Sequence, residues 1–239
     1  MNYIEIFSKS IKDFFSRKFL TLSFAPLFAA LIVLFCLMLL GANEVLHILK
    51  AAAMNGEIGA DFPVLAKILN FAVTHYILTA LIYFFGVSLV LVFSIIIGVL
   101  TLGFLTPIVV KTLHKKYYSQ YELHPVNTPK TLAVTLFILL KFLLLLILTI
   151  PFMFIPIINT FVFGAVLFYL FYKLLVFDVA SNIVGEKEIK ELLGRLWPKP
   201  LIICFIFYFL ALIPLIGLFL QLFFAIYLTH YFFAVLIKK

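Results

Sequence analysis

Ile4, Phe7, Ile11, Phe14 and Phe15 recur at helical spacing while Glu5, Ser8, Lys9, Lys12 and Ser16 fall on the other side, which predicts an amphipathic helix over residues 1–18. Such a helix, with lysines on its polar face, lies in a membrane interface. The pattern then changes. From Phe19 to Leu40 no charged residue occurs, and residues 19–40 supply one transmembrane helix at roughly 20 residues per hydrocarbon thickness. Gly41 to Lys67 carries Glu44, Lys50, Glu57 and Asp61 among Gly56, Gly59 and Pro63, the breaker chemistry of a solvated connection.

Residues 64–110 predict a second spanning helix. Its uncharged stretch, Ile68 to Val110, would run roughly 65 Å as one helix, about twice the hydrocarbon core, so it must tilt or kink, near Gly98 or Gly103. Folding it into two spans would put Lys111, Lys115 and Lys116 opposite the basic N-terminus. A single helix keeps both clusters on one side, as the positive-inside rule prefers.

The second half reads as two helical hairpins, 130–178 and 197–237, each a helix, a proline-containing break and a helix. The breaks hold Pro151 and Pro156 in the first and Pro214 in the second, with only Thr149 and Asn159 as polar side chains. Tips so poor in polar groups fit hairpins that enter and leave on one side of the bilayer. Ile155-Pro156-Ile157-Ile158-Asn159 matches Ile213-Pro214-Leu215-Ile216-Gly217, and Phe161/Phe219 and Tyr169/Tyr227 agree at the same offset, a weak internal repeat. Between the hairpins, the charged stretch around Glu186 to Arg195 belongs on the cytoplasmic side.

Composition points the same way. With 66% of the 239 residues hydrophobic and 12% charged, and a mean hydropathy of +1.25, the chain carries more apolar surface than a soluble domain hides, so lipid is its solvent. The expected fold is all-α and integral to the membrane, one domain over 1–239. The net charge of +8 comes from lysines bordering apolar runs, where anionic headgroups meet them, and does not point to nucleic acid. Cys36 and Cys204 sit within apolar stretches and read as small hydrophobes. Neither a catalytic motif nor a metal-ligand spacing occurs, so the reading is a non-enzyme without cofactor or metal.

Candidate chemistry is therefore charge in or beside the membrane. Ser16, Arg17 and Lys18, followed by Thr21, bring cations and free backbone N–H groups to a helix start, an arrangement that binds an anion or anchors lipid headgroups. Lys141, Lys173, Asp178, Gln221 and His230 are polar groups within apolar runs that either line a path or serve structure. For Lys141 the structural use is snorkelling, for Lys173 a pairing with Asp178, and for Gln221 and His230 interhelical hydrogen bonds.

The order of these pieces resembles the etoposide-induced-protein family, whose bacterial branch includes the CysZ sulfate permeases. The resemblance rests on the amphipathic start followed by Phe24-Ala25-Pro26-Leu27-Phe28, on Thr106-Pro107-Ile108, on Phe154-Ile155-Pro156-Ile157-Ile158 with Val166-Leu167-Phe168-Tyr169-Leu170-Phe171, and on Ile213-Pro214-Leu215-Ile216-Gly217. It implies two long spanning helices, two hairpins that penetrate the bilayer part way, and sulfate uptake. Sulfate-binding members carry Gly-Leu/Ile-Arg-Arg ahead of the first membrane helix. Those positions fall here on Lys18, Phe19, Leu20 and Thr21, with Arg17 and Lys18 supplying the nearby charge. The expected function is passive movement of sulfate or a related oxyanion through a homo-oligomer in a bacterial inner membrane, both termini cytoplasmic. The alternative is a membrane interaction protein that docks a partner on Glu186 to Arg195.

Overall fold

The computed structural model describes residues 3–26, 28–30, 32, 97, 101–154, 156–213 and 216–237. The expected connection at 41–67, most of the spans at 19–40 and 64–110, and Pro214 lie outside the described residues. Contacts divide the chain into a unit of residues 1–27 with 94–239 and a unit of residues 28–93. In the second unit only the helical residues 28–30 and 32 are described.

The described residues of the first unit are mostly helical, with an irregular stretch over 118–127 and no strand among them. Helix α1 (Tyr3–Phe14) ends in a turn at Phe15 and Ser16, and α2 occupies residues 17–26. Ser16 opens α2 by accepting the Leu20 N–H at 2.9 Å. Helix α3 covers residues 101–117. Pro107 removes one N–H from its interior, while the preceding Thr106 hydroxyl bonds back to the Leu102 carbonyl at 2.8 Å.

Helix α4 (Thr128–Leu148), a 3₁₀ turn (Ile150–Phe154) and α5 (Pro156–Ser181) follow. Helix α6 (Glu186–Leu196) buries Ile189, Leu192 and Leu196 and turns its charges outward. The chain then bends by 86° into α7 (Lys199–Ala211), and α8 (Ile216–Leu236) closes the unit.

Among the described residues, three segments are long and apolar enough to cross a membrane: Thr128–Phe152, Ile158–Ser181 and Ile216–Leu236. Their surroundings differ. Helix α4 buries only Ile138 and Phe142 and exposes Leu132, Leu136, Phe137, Leu140, Leu143 and Leu144, a face that only lipid or another apolar surface satisfies. Helix α8 is apolar on every side and buried at Gly217, Leu218 and from Gln221 to Phe233, with α1, α5 and α7 packed around it. The 13 residues of α7 span only about 20 Å, too short to cross alone.

Aromatic rings fill the centre. Phe207 of α7 stacks on Phe224 of α8 at 4.6 Å between centroids, and Phe171 of α5 meets the same ring edge-on at 5.9 Å. The Tyr208 hydroxyl donates to the Gly164 carbonyl at 2.9 Å, tying α7 to α5. Helix α8 starts so close to the end of α7 that a Cβ on Gly217 would collide with the Ala211 backbone, 2.7 Å from its Cα. Asn159 of α5 holds the matching position of the repeat.

Candidate functional site

The face that α1 turns to the protein is Ile6, Ser10, Asp13 and Phe14. Ile4, Ile11 and Phe15 of its apolar stripe remain exposed. Phe14 packs edge-on against Phe219 and Phe223 of α8, at 5.4 and 5.7 Å. These contacts carry Asp13 into the interior, where it is 1% exposed.

Asp13 gathers donors from two other helices, α3 and α8. Its Oδ1 accepts the Lys116 ammonium at 2.8 Å and the Tyr117 hydroxyl at 2.9 Å. Its Oδ2 lies 2.9 Å from Nε2 of His230, which is fully buried on α8. A carboxylate only accepts, so Nε2 carries a proton, and Nδ1 pairs with the Tyr118 hydroxyl at 2.7 Å. Burial pushes the Asp13 carboxyl up, but the hydrogen bonds from His230, Lys116 and Tyr117 outweigh it and hold the group at about 2. The hydrogen bond to Asp13 raises Lys116, and burial beside the Asp13 charge raises Tyr118. Lys9 lies over the Tyr117 ring, 3.7 Å from its centroid, and burial lowers it.

Next to this network lies an open pocket of about 360 Å³ lined by Lys18, Lys111, Thr112, Lys115 and Lys116, room for roughly a dozen water molecules. Lys111 and Lys115 sit at i and i+4 on one face of α3, and the adjacent Lys116 reaches the same pocket. Lys18 comes from α2 and donates to the Thr112 hydroxyl at 2.8 Å. Four ammonium groups converge on one pocket without a carboxylate among its lining residues, a concentration of positive charge that attracts anions.

The family model described as sulfate transporter CysZ/etoposide-induced protein 2.4 matches residues 6–236. The chain belongs to that family. It is a membrane protein of a family named for a transporter, and the match runs from the buried face of α1 through the last residue of α8. No curated relative and no solved structure matches the chain.

Of the family-like polar residues singled out in the sequence, Lys18 alone lines the lysine pocket. Arg17 and Thr21 are exposed, the Thr21 hydroxyl bonding back to the Arg17 carbonyl at 2.9 Å. Ser16 is half-buried and caps α2 through its backbone. Lys141 is exposed on α4 with its ammonium 5.6 Å from the Tyr169 ring centroid. Lys173 lies 5.5 Å from the Tyr172 ring centroid and forms no ion pair with Asp178 among the described residues. The Asp178 carboxylate faces Gly103 instead, where a Cβ would meet Oδ2 at 3.4 Å. Gln221 is buried in α8 with its Oε1 unbonded among the described residues, and His230 belongs to the Asp13 network. Pro151 lies in the 3₁₀ turn and Pro156 opens α5.

Asp13 is the residue that sequence reasoning passed over. Its signal was present: Ile6, Ser10 and Asp13 are spaced at i, i+4 and i+7, one helix face distinct from both the apolar stripe and the lysines. Lys111, Lys115 and Lys116 were read for topology, and only the fold shows that Lys18 joins them.

Proposed function

We propose that this chain moves sulfate or a related small oxyanion across a bacterial inner membrane as a passive permease or channel, with both termini cytoplasmic. The observation that carries the reading is the convergence of Lys18, Lys111, Lys115 and Lys116 on one pocket. Family membership supports the class of solute. The placement of Lys9, Lys12, Arg17 and Lys18 with the α3 lysines on one side supports the orientation.

Passive movement is favoured because Asp178 is the sole carboxylate in the described membrane-length segments, too few for a proton relay. An inside-negative potential opposes entry of a dianion by about 4.6 kcal/mol per 100 mV. Net uptake on this reading therefore depends on consumption of the anion inside the cell. The short α7 supports a second hairpin that penetrates part way, and the exposed leucines of α4 support a second copy of the chain completing the path.

The test is anion flux into liposomes holding the purified chain, comparing sulfate, sulfite, phosphate and chloride, with a Lys111→Gln/Lys115→Gln double variant beside the native sequence. Saturable sulfate or sulfite flux, reduced at least about tenfold in the double variant, is the expected result. Absence of flux for every anion from folded protein would overturn the transport reading.

A further inference from the structure

One pocket lysine has two possible partners. Lys116 lines the anion pocket, and its side chain is 51% exposed, yet its ammonium lies 2.8 Å from a carboxylate that is 1% exposed. The other three pocket cations differ. Lys18 is bonded to a neutral hydroxyl, and Lys111 and Lys115 have no acidic partner among the described residues. Resting on the reading of this pocket as an anion site, we propose that Asp13 is a positioning residue that competes with the bound anion for Lys116 and so weakens anion binding enough to permit release.

The geometry makes that exchange tolerable. A buried carboxylate stripped of every partner would be prohibitive. Asp13 has three donors on two oxygens, and when Lys116 turns to the pocket, Tyr117 remains on Oδ1 and His230 on Oδ2. The carboxylate keeps one donor on each oxygen while the anion gains a fourth ammonium. Conduction needs a site strong enough to load and weak enough to empty, and a cation shared with a fixed carboxylate meets both demands. Of the pocket's lining residues Asp13 bonds Lys116, so its effect on the pocket passes through that side chain.

The experiment is sulfate titration calorimetry on the purified full chain in neutral detergent at constant ionic strength. The chains compared are the native sequence, Asp13→Asn, Lys111→Gln, Lys116→Gln and the double variant Asp13→Asn/Lys116→Gln. Asp13→Asn is expected to bind sulfate about three- to tenfold more tightly. Lys116→Gln is expected to cost less affinity than Lys111→Gln in the native background, and clearly more once Asp13 is Asn. Folded Asp13→Asn with unchanged or weaker sulfate binding overturns the proposal and leaves the pocket reading standing, provided Lys111→Gln still weakens binding. If Asp13→Asn does not fold, the two single lysine variants decide. Equal losses, or a larger loss in Lys116→Gln, overturn the proposal. Sulfate binding that ignores every lysine variant overturns the pocket reading and this inference together.

Discussion

The side chains of Asp13 and His230 meet at 2.9 Å although 217 positions separate them in the chain. This contact binds the N-terminal helix to the central helix of the unit, and its neighbours Lys116 and Tyr117 bring in the end of α3. Removing the carboxylate leaves buried donors without an acceptor. Asp13→Ala should lower stability by about 3 kcal/mol, whereas Lys116→Ala, which removes a half-exposed partner, should lower it by about 1 kcal/mol or less. Thermal unfolding of the two variants in one detergent checks the ranking. Equal losses would show that the network holds no special weight.

The same carboxyl sets an acid limit. Its folded pKa of about 2 lies below its ordinary 3.8, so the folded state binds the proton less readily than the unfolded chain. The stabilisation is complete above about pH 4 and is lost as pH falls toward 2. It amounts to about 2 kcal/mol. Melting curves of the native chain and of Asp13→Asn, taken from pH 6 to pH 2, should converge at the acid end as the difference due to this group vanishes. A gap that stays constant over this range would assign the acid loss to other carboxylates.

Two glycines should respond in opposite directions. Gly217→Ala forces a methyl group onto the Ala211 backbone and should destabilise by about 1 to 3 kcal/mol. Gly194 is exposed in α6 with nothing near a Cβ, so Gly194→Ala should stabilise by about 0.5 to 1 kcal/mol. Calorimetric or fluorescence melts separate the two. A neutral Gly217→Ala would mean that the hairpin tip gives way easily.

The helices flanking the breaks were legible in the sequence, because long apolar runs punctuated by proline leave room for helices on either side. Burial was not legible. Helices α4 and α8 are alike in apolar content, yet α4 exposes its leucines while α8 is enclosed, because periodicity carries no information when every face is apolar. The amphipathic start was legible as a helix, but its inward side was not. Composition favours the phenylalanine stripe, whereas the bonds to Asp13 fix the rotation. The lysine pocket was half legible: Lys18 stood out beside Arg17, and the spacing of Lys111, Lys115 and Lys116 was visible, but their meeting depends on how α2 and α3 pack. The pairing of Lys173 with Asp178 failed because their side chains take different partners, Tyr172 and the region of Gly103.

Gln221 offers a test of the polar-path idea. Its buried Oε1 has no hydrogen-bond partner among the described residues, so Gln221→Met should leave stability unchanged or raise it by about 1 kcal/mol. Flux measured on the same protein gives the second readout. A fall in flux at preserved stability would assign the side chain to the path, and unchanged flux would assign it to packing.

The contact between Asp13 and His230 also bears on assembly in time. At synthesis rates of about 5 to 20 residues per second, on the order of ten to forty seconds pass between the appearance of Asp13 and that of His230. Lys116 and Tyr117 emerge roughly midway, so the nascent chain can hold the carboxylate at one oxygen before its second partner exists. The final rotation of the N-terminal helix is then among the last events of biogenesis, and a ribosome stalled before residue 230 would leave that helix unlatched.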